Sequence, residues 1–219
     1  MSKQKNIKSP FLIIEEFISP KICELIVDNI LITQPDIDIN GDPIKMERRH
    51  DEFQSVVFNR MKDKNIEDRI KDTYNAKYKG TDPITFQYFP ENAKAPAKQP
   101  GCENSKYMRK KWVKVKDIDL VGYIWLKDYQ NTTPLDPRTE VYGGKMEFPA
   151  YNFSLVPQRG TLIIFPAGPH FITAISPILV SDLYQVKIDI SISTPEGSMW
   201  FYQPVNFPGT WQEWFEGQF

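Results

Sequence analysis

One stretch constrains the fold more than any other: Gly160-Thr161-Leu162-Ile163-Ile164-Phe165-Pro166-Ala167-Gly168-Pro169-His170. A glycine turn enters a continuous apolar run, and the run closes on proline and glycine just before a histidine. Short apolar runs bounded by turn residues are strands. Past His170, the segment Leu183–Ile192 alternates apolar and polar residues with period two, as a half-buried strand does. Between and before these two lie further strand-like segments separated by turn signals, a pattern that favours an all-β sandwich or barrel.

The segments can be placed in chain order. Phe11-Leu12-Ile13-Ile14 reads as a short strand, and Ser19 can cap a helix that begins at Pro20. Ile22, Leu25, Ile26 and Ile30 give that helix an apolar face. Two more helices fit Asp51 to Lys62 and Ile66 to Tyr78. Ile84 to Phe89 alternates and reads as the first strand of the β core, whereas Glu91 to Pro100 has the composition of an irregular loop. Ile118 to Leu126 is a long apolar strand, Lys127 to Tyr142 a polar insertion, and Phe153 to Val156 a short strand before the turn at Gly160. No internal repeat is visible. The division expected is a domain over 1–195, with helical support in 1–83 and the β core in 84–195, then a C-terminal tail over 196–219.

Bulk properties exclude several classes. With 27 Lys and Arg against 28 Asp and Glu, the formal net charge is -1, so no global basic excess exists to neutralise a nucleic acid. The cluster Arg109-Lys110-Lys111 with Lys114 and Lys116 reads more readily as a solvated hairpin edge than as a patch for an acidic ligand. Cys23 and Cys102 are too few for a disulfide framework or a zinc site, and a reducing compartment suits them. No apolar run has the form of a signal peptide or a membrane span. The expectation is an intracellular protein, or part of a particle assembled inside a cell.

The turn-strand-histidine stretch, the segment Gly143-Gly144-Lys145-Met146-Glu147-Phe148-Pro149 and the opening Pro10–Asp28 together resemble the prolyl-4-hydroxylase-like branch of the iron(II)- and 2-oxoglutarate-dependent dioxygenases. The resemblance implies a double-stranded β-helix with N-terminal helices packed on one sheet. It also implies a metal site of two histidines and one carboxylate, the last histidine being His170. The first pair, His-x-Asp in the family, falls on Gln99–Ser105, which puts Gly101 at the histidine position and Glu103 at the aspartate position. Glycine has no ligating atom, and glutamate carries its oxygens one methylene too far for a bond of about 2.0–2.2 Å. No histidine lies between His50 and His170, so no shift of register restores the pair. His50-Asp51-Glu52 offers a His-x-Glu, but it precedes the first core strand and has the acidic first turn of a helix. The cationic residue that would hold 2-oxoglutarate falls on Leu183. Lys187, on the same strand face, could substitute, although a lysine on the polar face of a half-buried strand is more often solvated.

A non-catalytic member of the dioxygenase fold is therefore expected, with no cofactor, serving a structural or interaction role. Gly101, Glu103 and His170 would be vestigial metal-site positions, and Leu183 and Lys187 vestigial 2-oxoglutarate-site positions. The segment Cys102-Glu103-Asn104-Ser105 and the aromatic C-terminus resemble proteins of large tailed bacteriophages, which implies a virion component of neck, tail or head. The alternative is an active hydroxylase that uses Fe(II) and 2-oxoglutarate with an atypical ligand set. Trp200, Phe201, Tyr202, Trp211, Trp214 and Phe215 crowd the tail, the last three at helical spacing i, i+3, i+4. They either close the chain's own core or dock on a protein partner, a second copy or another virion subunit.

Overall fold

The computed structural model describes residues 10–31, 51–82, 84–98, 105–108, 111–114, 117–149, 152–156, 158–168 and 171–193. Its major sheet is built from β1 (Leu12–Ile14), β2 (Lys77–Thr81), β3 (Thr85–Phe89), β7 (Leu120–Trp125), β12 (Leu162–Pro166) and β15 (Leu183–Ser193). The order is β1-β12-β7-β15-β2, with β3 also paired to β15. A second sheet runs β11-β10-β13-β4, from Phe153–Leu155, Met146–Phe148, Thr173–Ile175 and Ala95–Lys98. A third joins β14 (Ile178–Val180), β9 (Glu140–Gly143) and β8 (Asp128–Gln130), and β5 (Ser105–Met108) forms a hairpin with β6 (Lys111–Lys114). Mainly antiparallel, curled and backed by helices, this is a double-stranded β-helix, the fold expected from the sequence.

Two cores follow from strand alternation. Leu120 and Ile124 of β7, Leu162 and Ile164 of β12, and Tyr184, Val186, Ile188 and Ile190 of β15 all point to one face. There they meet helices α1 (Pro20–Leu31), α2 (Asp51–Asp63) and α3 (Ile66–Tyr74) through Cys23, Ile26, Val27, Val57, Met61 and Ile70. The opposite face carries Val121, Tyr123, Trp125, Ile163, Phe165 and Leu183, which pack on Met146, Phe148, Phe153 and Ile175 of the second sheet. The result is three layers: helices, major sheet, minor sheet. Each large apolar side chain so buried contributes about 1.5–3 kcal/mol, which makes the two cores the main source of stability.

Local chemistry sets the element ends. Ser19 accepts the Ile22 N–H through its carbonyl at 3.0 Å and its hydroxyl at 3.4 Å, and Pro20 opens α1 as its sequence suggests. The buried face of α1 is Cys23, Ile26 and Val27, whereas Leu25, expected on that face, is 49% exposed. The third helix stops at Tyr74 instead of continuing to Tyr78, because Asn75 takes a left-handed conformation (φ 53°) and the chain turns into β2. Tyr74 then shares its hydroxyl proton between the carbonyls of Pro10 (2.8 Å) and Ile164 (2.9 Å), tying α3 to β12.

Two segments for which no strand was expected contain strands. Ala95–Lys98 pairs with β13 at the edge of the second sheet, where Pro96 can lack its N–H without breaking a ladder on both sides. The polar insertion from Lys127 carries β8 and β9, a parallel pair with Asp128 opposite Glu140. Lys127 itself is 2% exposed. Its ammonium donates to the Pro137 carbonyl (2.5 Å) and the Ser181 hydroxyl (2.8 Å) and lies 4.9 Å from the Tyr184 ring centroid, clasping the insertion to β15. Burial pulls its pKa from 10.5 down to about 8, partly offset by Asp182 and Asp136.

Gly160 is the joint between the layers. Its φ of +78° suits glycine, its N–H donates to the Trp125 carbonyl (2.9 Å), and its carbonyl accepts the Ile18 N–H (3.1 Å). A Cβ there would lie 2.2 Å from the Ile18 carbonyl oxygen. Gly160→Ala is expected to cost about 2–4 kcal/mol through left-handed strain and this backbone clash, read as a lower urea midpoint at unchanged slope. A second expectation concerns pH. Between pH 8 and 10 the unfolded chain keeps a proton on Lys127 that the folded chain has lost, so folding stability rises with pH through this group. Relative to Lys127→Met, the protein should gain up to about 2 kcal/mol over that window; equal pH profiles for the two proteins in urea titrations would refute the assignment.

Candidate functional site

The candidate site is the space between the two sheets, and register fixes what faces it. On β15, Leu183, Gln185, Lys187 and Asp189 share the inner face because they alternate with the helix-facing set. Gln185 lies between Gln87 of β3 and Trp125 of β7, and Lys187 between Thr85 and Tyr123. Asp189 is level with Val121, which pairs with Phe165 of β12. The Lys187–Asp189 pair therefore sits near the sheet end from which the chain leaves β12 towards position 170. Leu183 is six residues, about 20 Å, up the strand from Asp189.

The inner face is polar in the middle and closed to water. Lys187 is 4% exposed, and its ammonium lies 3.1 Å from the Asp189 carboxylate. Gln185 donates from Nε2 to Gln87 Oε1 at 2.6 Å, with both amides buried. Among the described residues, Gln185 Oε1 and Trp125 Nε1 have no hydrogen-bond partner. The solvated lysine expected at 187 is thus corrected. Alternation identified the face correctly, but β3 and β7 flank the strand and the second sheet covers it, so the face is interior.

Aromatic rings occupy the neighbouring volume. Phe165 lies 5.1 Å from Phe148, 5.8 Å from Phe11 and 6.3 Å from Phe171, and stacks on Tyr123 at 5.9 Å between centroids. Phe171, the residue after His170, is fully buried in this group. The end of β4 and the start of β13 are paired, Lys98 with Thr173, so the chain enters 99–104 and leaves 169–170 from adjacent strands. Gly101, Glu103, His170, His50 and the aromatic tail lie outside the described residues, so Leu183 and Lys187 are the predicted positions the structure places. It sets Leu183 in the apolar core and Lys187 beside a carboxylate. Gln87, Gln185 and Asp189 were not singled out from sequence. For Gln185 and Asp189, parity with Lys187 was the available signal and burial was not; Gln87 is brought in by the pairing of β3 with β15.

The chain has two histidines, 120 residues apart, and the described residues, which include neither, hold no group of three or more His, Cys, Asp or Glu side chains able to share a metal ion. The inner-face cation already has a carboxylate at contact distance. No helix among the described residues is long and apolar enough to cross a membrane.

No protein-family model matches the chain, and no curated protein matches it by sequence. Solved structures do match. A viral collagen prolyl hydroxylase of Paramecium bursaria Chlorella virus-1, in complex with 2-oxoglutarate, superposes with a TM-score of 0.59 at 14% identity, covering 84% of this chain and 96% of that one. A Pseudomonas putida prolyl-4-hydroxylase gives 0.54 at 11% identity, over 83% and 92% of the two chains. A prolyl hydroxylase of Trichoplax adhaerens, solved with a hypoxia-inducible-factor peptide, gives 0.54 at 11%, over 83% of each. At these identities the likeness is one of fold: the chain has the double-stranded β-helix of these prolyl hydroxylases.

Proposed function

We propose that this chain is a non-catalytic protein of the dioxygenase fold, whose barrel serves as a scaffold for protein interaction. The observation that carries the reading is the absence of any histidine between His50 and His170; the family resemblance would put Gly101 at the first metal-ligand position. The ion pair of Lys187 with Asp189 and the phenylalanine packing around Phe165 support it. A lysine meant to hold a dicarboxylate would be left available for it, whereas this one is matched internally. Trp211, Trp214 and Phe215 are the proposed partner contacts, aromatic anchors at helical spacing being effective fillers of a partner's pocket. A structural subunit of a tailed-phage virion is the setting that the Cys102–Ser105 resemblance supplies.

A second reading, an active hydroxylase with an atypical ligand set, draws on the inner-face position of Lys187 and on the hydroxylases that share the fold. Two measurements separate them. After anaerobic loading with Fe(II), elemental analysis should find substoichiometric iron, and 2-oxoglutarate decarboxylation should not exceed that of a His170→Ala control. One iron per chain with turnover that His170→Ala removes would establish the hydroxylase instead. If the Lys187–Asp189 pair is structural, Lys187→Met should cost about 3 kcal/mol by removing the cation beside a buried carboxylate, and Lys187→Met with Asp189→Leu should recover most of it. Urea titrations of the three proteins read this directly; a single variant as stable as the parent would count against a structural pair.

A further inference from the structure

A groove of about 570 Å³ opens on the helical side of the barrel, between the end of α2, the start of α3 and β2. Its floor is apolar: Met61 and Ile66 are buried, and Phe58 and Tyr78 are partly buried against the same core. Its rim is mixed, with the exposed carboxylates Glu67 and Asp68 beside the exposed Lys62 and Asn65. An apolar trough with a polar rim that offers both donors and acceptors suits an aromatic side chain with a polar tip, which is the chemistry of tryptophan and tyrosine.

The described backbone ends close to this place. The last described strand ends with Ile192 paired to Tyr78 and Ser193 to Lys77, so the backbone leaves the sheet beside the wall of the groove. Pro195 and Gly197 follow, one unable to extend the ladder and the other a ready turn. Trp200 is the seventh residue beyond Ser193, a tether that reaches up to about 25 Å, against a helix diameter of about 10–12 Å.

We infer that the groove is the seat of this chain's own C-terminal segment, with Trp200, Phe201 and Tyr202 supplying the rings that fill it. The tether makes the contact intramolecular, at an effective concentration in the millimolar range, which a second copy reaches only at comparable protein concentration. Anchoring there would fix the start of the tail on the barrel and leave Trp211, Trp214 and Phe215 beyond the anchor.

Hydrogen exchange with mass spectrometry on the full chain tests this. Amides of 194–203 should exchange at least tenfold more slowly than an unstructured peptide of that sequence, and Phe58→Glu should abolish the protection. A tail variant, Trp200→Ala with Phe201→Ala and Tyr202→Ala, leaves every groove residue intact; it should speed exchange at 62–68, which keeps the test valid if Phe58→Glu fails to fold. Unprotected 194–203 in the parent protein, or exchange at 62–68 unchanged in the tail variant, would overturn the inference. So would protection that disappears on tenfold dilution, since the occupant would then be a second copy.

Discussion

The structure depends on the double burial of β15 between β7 on one side and β3 followed by β2 on the other. Eleven residues long, this strand serves two cores at once, even positions towards the helices and odd positions towards the second sheet. A slip of one residue would carry Lys187 and Asp189 into the helical core and Val186 and Ile188 into the barrel interior. Register is therefore enforced by both layers, and Gly160 and Tyr74 reinforce it by binding the helical layer to β7 and β12. Partly exposed ion pairs such as Arg159 with Glu24 and Asp128 add little beside this, being worth about 0–1 kcal/mol.

Polar groups inside the barrel carry the functional question. A lysine in a nearly dry interior requires compensation, which an internal carboxylate or an arriving one can supply. Here the internal carboxylate is two residues along the same strand face, and a buried amide pair lies next to it. The inner face is thus built to balance its own charge, while the rings around Phe165 fill the volume beside it. A second cation, Lys127, is buried at the far end of the sheet and is satisfied in the same way, by a carbonyl, a hydroxyl and a ring face. Both lysines hold structure together where sequence alone would have put them in solvent.

Much of the fold was legible because it rests on local patterns. The apolar run before Pro166, the period-two alternation of Leu183–Ile192 and the Ser19-Pro20 helix start each report on their own residues. The strand at Ala95–Lys98 was not legible, since its composition is that of a loop and β13 supplies the reason for it to extend. The same holds for β8 and β9, short polar strands that exist through mutual pairing and the clasp at Lys127. Helix α3 ended early because Asn75 could take a left-handed turn, which an apolar periodicity does not register.

Sequence by itself determined the histidine inventory: two in the chain, His50 and His170, and none between them. It also determined the parity of each strand, because side-chain alternation is intrinsic to an extended backbone. Only the tertiary structure decided which parity faces water. Leu183, Gln185, Lys187 and Asp189 share a face in any strand, but that face is interior because two neighbouring strands and a second sheet, distant in the chain, close over it. Burial is a sum over partners brought together by folding, and no local pattern contains that sum.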